Sequence, residues 1–272
     1  MKELAGKVAI VTGATRRRGL GRALALALAD AGADVVVTGT PGGEQRLPRD
    51  EIDAGWRGLP SMVEELEAAG VRALGLAVDV ARGEDVERMV ARTVETLGRV
   101  DVLVANAAYP RGGDRVPLVD LPEQTWRTIV DVNLTGTMLC CQHVARRLIA
   151  QGEGGSLVAI SSIAAMTGTP TFSAYAASKA AVHALNGTLA AELGPHGITC
   201  NVVAPGFIDT ARIDVLRTPE KWAQRTSTIP LGRAGTPDEI AALVRFLCGP
   251  SARWISGEVF APSGGEVRRT AR

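Results

Sequence analysis

Three residues in one short stretch have the types and the spacing to move a proton. Ser162 is followed by Tyr175 and Lys179, and the last two stand four residues apart. On a helix that spacing puts the phenol and the ammonium on one face. A phenol left to itself titrates near 10 and is a poor acid–base group at neutral pH. A neighbouring ammonium favours the phenolate form and brings the group toward working range. A serine hydroxyl at the end of the preceding strand can donate to a substrate oxygen. An acid, its tuner and a polarising donor together suit proton transfer to or from a carbonyl or alcohol oxygen. Each piece alone is commonplace, since Tyr-x-x-x-Lys falls by chance on many helix faces. The triple on one strand–loop–helix unit carries the reading.

The chain around them alternates apolar runs with helical patterns. Strands are expected at 7–12, 34–38, 73–78, 100–105, 155–160 and 198–203. Helices are expected at 19–31, 60–69, 83–97, 122–150 and 172–194, with a short helical piece at 219–225. Strands that are apolar throughout belong to a parallel sheet covered on both faces. The predicted fold class is therefore α/β, a doubly wound parallel sheet of the Rossmann type, in a single domain over 1–272. Residues 39–59, rich in Gly, Pro and charge, are expected to be irregular. That loop is either a solvated excursion or a functional element, because it leaves the end of the second strand, where a cofactor's adenosine would lie. A second irregular region spans 207–237.

Between the first strand and first helix runs Thr12-Gly13-Ala14-Thr15-Arg16-Arg17-Arg18-Gly19-Leu20-Gly21. Gly13, Gly19 and Gly21 are placed to let backbone approach a pyrophosphate and to present a helix N-terminus to it. The second strand ends Thr38-Gly39-Thr40, without the carboxylate that accepts from a ribose 2′-hydroxyl in NAD-selective sites. A 2′-phosphate would meet no like charge there, and Arg16, Arg17 and Arg18 stand one loop away as guanidinium partners. NADP(H) is thus favoured over NAD(H). The three arginines are not equivalent readings. Arg16 and Arg18 take the same role when counted from opposite ends of the loop. Gly19 and Gly21 anchor the helix register, which favours Arg18, with Arg17 next.

Composition narrows the remaining classes. The chain has 272 residues, is 46% hydrophobic and 22% charged, and can bury a sizeable core. A net charge of +1 and only 4% aromatics give no footprint for nucleic acid or a membrane surface. No apolar run approaches a membrane span and no signal peptide opens the sequence, so a cytoplasmic location is expected. Cys140, Cys141, Cys200 and Cys248 lack metal-ligand spacing and read as buried reduced thiols; no metal is called for.

Taken together, these motifs resemble the short-chain dehydrogenase/reductase family over essentially the whole chain. The resemblance rests on the loop from Thr12 to Gly21, Asp79-Val80 after the third strand, Asn106-Ala107-Ala108 after the fourth, and Asn133 within Asp-Val-Asn-Leu-Thr-Gly. It closes with Ser162, Tyr175, Lys179 and Pro205-Gly206-Phe207-Ile208-Asp209-Thr210. It implies that Tyr175 is the catalytic acid/base, that Lys179 holds the nicotinamide ribose, and that Ser162 orients the substrate oxygen. Asn133 would hold a water joining the lysine to solvent. Asp79 and Val80 would meet the adenine, Asn106 with Ala107 and Ala108 would flank the cofactor, and Ile208 and Thr210 would contact its carboxamide, next to Pro205 and Gly206. Thr40 and Leu20 complete the cofactor edge.

The expected activity is NADP(H)-dependent interconversion of a ketone and a secondary alcohol. Alternatives are epimerisation or dehydration through a transient ketone, or a non-catalytic nucleotide-binding regulator. The resemblance further implies a homodimer or homotetramer, and a 207–237 region closing over substrate. Three departures stand out: the loop holds two more residues between Gly13 and Gly19 than the family pattern, Asn-Ala-Ala replaces Asn-Ala-Gly, and Pro262-Ser263-Gly264-Gly265 stands where an aspartate commonly precedes the glycines. Met166, Phe172 and Trp222 are the pocket-wall candidates. Arg111 and Arg115 follow the fourth strand and are expected to be solvated, although an arginine there has the chemistry to hold an acidic substrate.

Overall fold

The computed structural model describes residues 2–267. Among them, β1 (Val8–Val11), β2 (Asp34–Gly39), β3 (Ala73–Ala77), β4 (Val102–Ala105), β5 (Gly155–Ile160), β6 (Ile198–Val203) and β7 (Val259–Phe260) form one sheet. Its order is β3-β2-β1-β4-β5-β6-β7, parallel throughout. Alternate residues of each strand serve opposite faces. Ala9 and Val11 join a core with Leu24, Leu28 and Leu247, while Val8 and Ile10 join another with Met89, Leu103 and Leu148. That two-sided demand is why the strands read as unbroken apolar runs.

The helices are α1 (Leu20–Asp30), α2 (Arg49–Asp53), α3 (Leu59–Ala68), α4 (Gly83–Leu97), α5 (Glu123–Val130), α6 (Gly136–Gln151), α7 (Ser173–Leu193), α8 (Pro219–Thr226) and α9 (Pro237–Cys248). The doubly wound sheet is as the sequence predicts, with three differences of detail. The helix expected over 122–150 is interrupted at Asp131–Thr135 by a π turn, which separates α5 from α6. A π turn adds a residue to one turn, a change that a 3.6-residue period does not register.

The stretch 39–59 is not structureless either. It carries a 3₁₀ turn (Gly43–Arg46) and α2, and it buries Leu47, Trp56 and Leu59 in the α1 core. Finally, α9 and β7 complete the fold beyond the predicted elements. α9 starts with a capping box, in which the Thr236 hydroxyl accepts from Glu239 N–H and the Glu239 carboxylate accepts from Thr236 N–H.

No helix of the described residues is long and apolar enough to cross a membrane. All four cysteines are buried and free. Burial pushes the Cys140, Cys200 and Cys248 thiols up to about 12, so they stay protonated.

Candidate active site

The C-terminal ends of β1 and β4, where the strand order reverses, are tied together. Thr12 Oγ1 accepts from the N–H groups of Asn106 and Ala107, each at 3.0 Å. Asn106 Nδ2 donates back to the carbonyls of Thr12 (2.8 Å) and Gly13 (3.0 Å). Gly13 has φ +70°, and a Cβ there would lie 2.8 Å from Ala107 Cα. A Cβ on Gly21 would lie 2.8 Å from Ala14 Cα, and one on Gly206 2.8 Å from Ser263 Cα. Gly19, the N-cap of α1, has no side-chain cap, so the first N–H groups of the helix stay open to an anion. This cradle of bare backbone beside an uncapped helix fits the pyrophosphate of a nicotinamide dinucleotide.

Gly13→Ala tests that fit. The left-handed backbone alone costs a non-glycine residue about 1–2 kcal/mol. The added methyl would also press on Ala107. We expect a lower Tm and dinucleotide binding weakened by about tenfold or more in a titration, tenfold being about 1.4 kcal/mol.

The arginine triplet is not free. Glu51, from α2, is 1% exposed. It accepts from Arg16 Nε at 3.2 Å and from the Arg18 backbone N–H at 3.3 Å. Arg18 pairs with Asp214, places Nη1 3.5 Å from Asp50, and accepts at its carbonyl from Ala211 N–H at 2.8 Å. Arg17 is exposed and has no recorded partner among the described residues. Trp56 Nε1 donates to Thr15 O at 2.8 Å, fastening the 39–59 stretch onto the glycine loop.

The premise that no acid stands at this edge is therefore corrected. Gly39 ends β2 because a Cβ there would overlap Thr15 Cγ2, and α2 delivers Asp50 and Glu51 in place of a strand-end acid. Arg18, favoured by register, has its guanidinium taken up by two carboxylates. Thr40 is exposed, one residue beyond β2.

On the β5 side, Ser162 Oγ accepts from Ala164 N–H at 3.2 Å, which leaves its own proton free to be donated outward. Tyr175 and Lys179 lie one turn apart in α7. Lys179 is 2% exposed, and its Nζ donates to Ile160 O at 2.7 Å. Burial, reinforced by the nearby Arg212 charge, lowers its pKa to about 7. Ser161 Oγ donates to Lys179 O (3.0 Å) and lies 2.8 Å from His183 Nε2.

Asn133 sits in the π turn, fully buried. Its Oδ1 accepts from Tyr109 N–H at 2.8 Å and its Nδ2 donates to Ser178 Oγ at 3.0 Å. Its side chain thus braces the loop after β4 against α7.

The other predicted positions fall as follows. Asp79 Oδ1 accepts from Ala81 N–H at 3.0 Å, and Val80 is buried against Gly136, where a Cβ would come within 2.7 Å of Val80 Cγ2. Ala108 is half-buried beside Ala107. Pro205 O accepts from Ile163 N–H, and buried Ile208 bridges to Gly235, with Thr210 close behind. Phe172 meets the Tyr175 ring edge-on at 6.2 Å. Met166 is exposed near the same loop. Trp222 packs on Phe207 at 5.3 Å, with the Arg217 guanidinium over its ring.

Two further residues crowd Tyr175. Arg115 is not solvated: its side chain is 14% exposed, with Cζ 3.8 Å from the Phe172 ring centre and 4.7 Å from that of Tyr175. Arg212 Cζ lies 5.3 Å from the Tyr175 ring centre. Neither position belongs to a motif. The signal present in the sequence was the density of arginine (Arg111, Arg115, Arg212) near chemistry-bearing segments.

Comparison with known proteins agrees with this fold. A family model described as Enoyl-(Acyl carrier protein) reductase matches residues 13–266. The chain is 39% identical over 260 residues to a short-chain dehydrogenase/reductase of Hericium erinaceus, covering 96% of this chain and 97% of that one. It is 38% identical over 267 residues to an L-rhamnose 1-dehydrogenase (NAD(P)(+)) of Sphingomonas, covering 97% and 98%. A putative short-chain alcohol dehydrogenase from Sinorhizobium meliloti superposes with a TM-score of 0.85 at 34% identity, covering 97% of each chain. The chain belongs to the short-chain dehydrogenase/reductase family, a family of NAD(P)-dependent oxidoreductases.

Proposed function

We propose that this oxidoreductase interconverts a ketone and a secondary alcohol and prefers NADP(H). The observation that carries the reading is the buried Lys179 ammonium, one turn after Tyr175 on α7, bonded to the carbonyl of Ile160 two residues before Ser162. The nicotinamide, when bound, supplies or takes the hydride at the carbonyl carbon. Ser162, already an acceptor from Ala164, aims its proton at the substrate oxygen. Tyr175 gives its phenolic proton to that oxygen in reduction and recovers it in oxidation. Lys179 supplies cationic charge one turn away. Asn133 keeps the β4 loop and α7 in register. The Tyr–Lys spacing of four supports carbonyl rather than enoyl chemistry, whatever the matching model's description. The segment 207–237 forms the substrate side, and the whole chain works as one domain. A homodimer or homotetramer belongs to the same reading, supported by fully exposed Trp254.

The NADP(H) preference now rests on Arg17, the one residue of the triplet without a recorded partner among the described residues. One experiment tests both halves. A panel of ketones and secondary alcohols is followed by cofactor absorbance, with the phosphorylated and unphosphorylated cofactors in parallel. A charge-assisted contact to the 2′-phosphate makes kcat/KM about tenfold or more higher with NADPH. Arg17→Ala is expected to bring the two cofactors within about threefold of each other. Equal wild-type values overturn the preference, and no turnover across the panel overturns the activity.

A further inference from the structure

Buried polar atoms without a hydrogen-bond partner cluster at one place. Among the described residues they are Arg115 Nε and Nη1, Arg212 Nη2, Ser173 Oγ and Glu266 Oε2. All but the last belong to side chains that stack on Tyr175 or stand two residues before it. An unpaired buried N–H is costly to the folded state, and more so when it belongs to a charged group. A guanidinium cannot escape by losing its proton. Such donors persist in a folded protein where a ligand is to meet them.

The charges around Tyr175 do not balance. Arg115 Nη1 lies 2.9 Å from Asp114 Oδ2, an ion pair without hydrogen-bond alignment. The other oxygen of Asp114 is already shared with Gly112 N–H at 3.0 Å. Among the described residues Arg212 has only a neutral hydrogen-bond partner, the Tyr109 carbonyl, 2.8 Å from its Nη1. The contacts with the Phe172 and Tyr175 rings take up none of the N–H hydrogens, and Arg115 Nε and Nη1 and Arg212 Nη2 stay buried and unpaired beside the catalytic ring. These residues also follow β4 and β6 and lie at the reacting tyrosine, whereas the phosphate cradle lies between β1 and α1.

We propose that Arg115 and Arg212 form a carboxylate-binding clamp, so that the substrate is a compact oxo acid and its hydroxy-acid counterpart. The clamp holds the carboxylate while the carbonyl oxygen meets Tyr175 and Ser162. A planar, bidentate guanidinium matches a carboxylate better than it matches a neutral hydroxyl. Both arginines lie against the catalytic ring itself, so the carboxylate stands close to the reacting carbon and the acid is a short one. This inference rests on the carbonyl–alcohol reading above and narrows its substrate class.

The test compares acetoacetate with methyl acetoacetate, and pyruvate with methyl pyruvate, in the full-length protein with its cofactor. One charge-assisted hydrogen bond is worth about 2 kcal/mol, or about 30-fold. The acid is expected to exceed its ester by at least that factor in kcat/KM, mostly through KM. Arg115→Met is expected to bring the acid-to-ester ratio close to one, and Arg115→Lys to restore part of it.

An ester used as well as the acid, or a ratio unmoved by Arg115→Met, overturns the clamp. So does an Arg115→Met defect confined to the cofactor's KM. If neither acid nor ester turns over, calorimetric titration with malonate decides. Binding weakened about tenfold or more by Arg115→Met upholds the clamp, and absent or unchanged binding overturns it. Tyr175→Phe separates the two ideas, because it is expected to abolish turnover of acid and ester alike while malonate still binds. Normal turnover by that variant would remove the catalytic assignment, and the acid-to-ester ratio would still decide the clamp.

Discussion

Tyr175→Phe is expected to lower kcat by about 10²- to 10⁴-fold, the usual worth of a positioned acid–base group. The substitution removes one oxygen and keeps the ring. Its stacking with Phe172 at 6.2 Å and the guanidinium contacts of Arg115 and Arg212 depend on that ring and survive. The fold should therefore be intact, and cofactor affinity should change little, because the glycine cradle is built from β1, α1 and the end of β4. Steady-state kinetics with the best substrate of the panel, and a dinucleotide titration alongside, read the two quantities separately. A variant within a few-fold of wild-type turnover would remove Tyr175 from the chemistry. A variant that lost dinucleotide binding as well would point to a structural role.

Lys179→Met carries the second large effect, with consequences for both rate and stability. Assayed below about pH 7, where Lys179 still carries its charge, the rate should fall by about 10²-fold or more, because the cation beside the acid–base group is gone. The stability effect has a definite pH signature. Burial lowers the Lys179 pKa from its ordinary 10.5 to about 7. Between those values the unfolded chain holds a proton that the folded chain has shed, so this group makes stability rise with pH across that window. Below about pH 7 both states are protonated, and the buried ammonium is a constant cost to the folded state. Methionine has no such cost, so the variant gains most relative to wild type at pH 6 and loses that advantage toward pH 10. The carbonyl of Ile160 loses its donor in the variant, which offsets the whole curve. The slope of the difference in denaturation midpoints against pH is the readout, and parallel curves would contradict the lowered pKa.

What the sequence disclosed follows from the range of the interactions involved. The parallel sheet was legible because burial on two faces writes itself into every residue of strands such as β6, buried along its whole length. Tyr175 with Lys179, and the glycine loop, were legible because one turn or one tight loop fixes their geometry. Glu51 was not. It lies in a charged, five-residue helix too short to show a period, and its partners Arg16 and Arg18 are more than thirty residues away. Arg115 reads as a solvated loop residue until α7, arriving from far down the chain, lays Phe172 against it. The π turn that seats Asn133 changes helix width and leaves composition alone. α9 is a different case, since its Thr236-Pro237-Asp238-Glu239 start is a local signal of a helix N-terminus.

Arg18 joins three parts of the chain that are remote in sequence. Its guanidinium reaches Asp50 of α2 and Asp214 beyond β6, and its backbone closes on Glu51 and Ala211. The segment that carries α2 and the segment that follows β6 are therefore joined through one residue of the glycine loop, by both its side chain and its backbone. The two ion pairs are partly solvent-exposed, so added salt, which screens charges over about 10 Å at 0.1 M, weakens them and leaves the backbone hydrogen bonds to Glu51 and Ala211 to hold the junction.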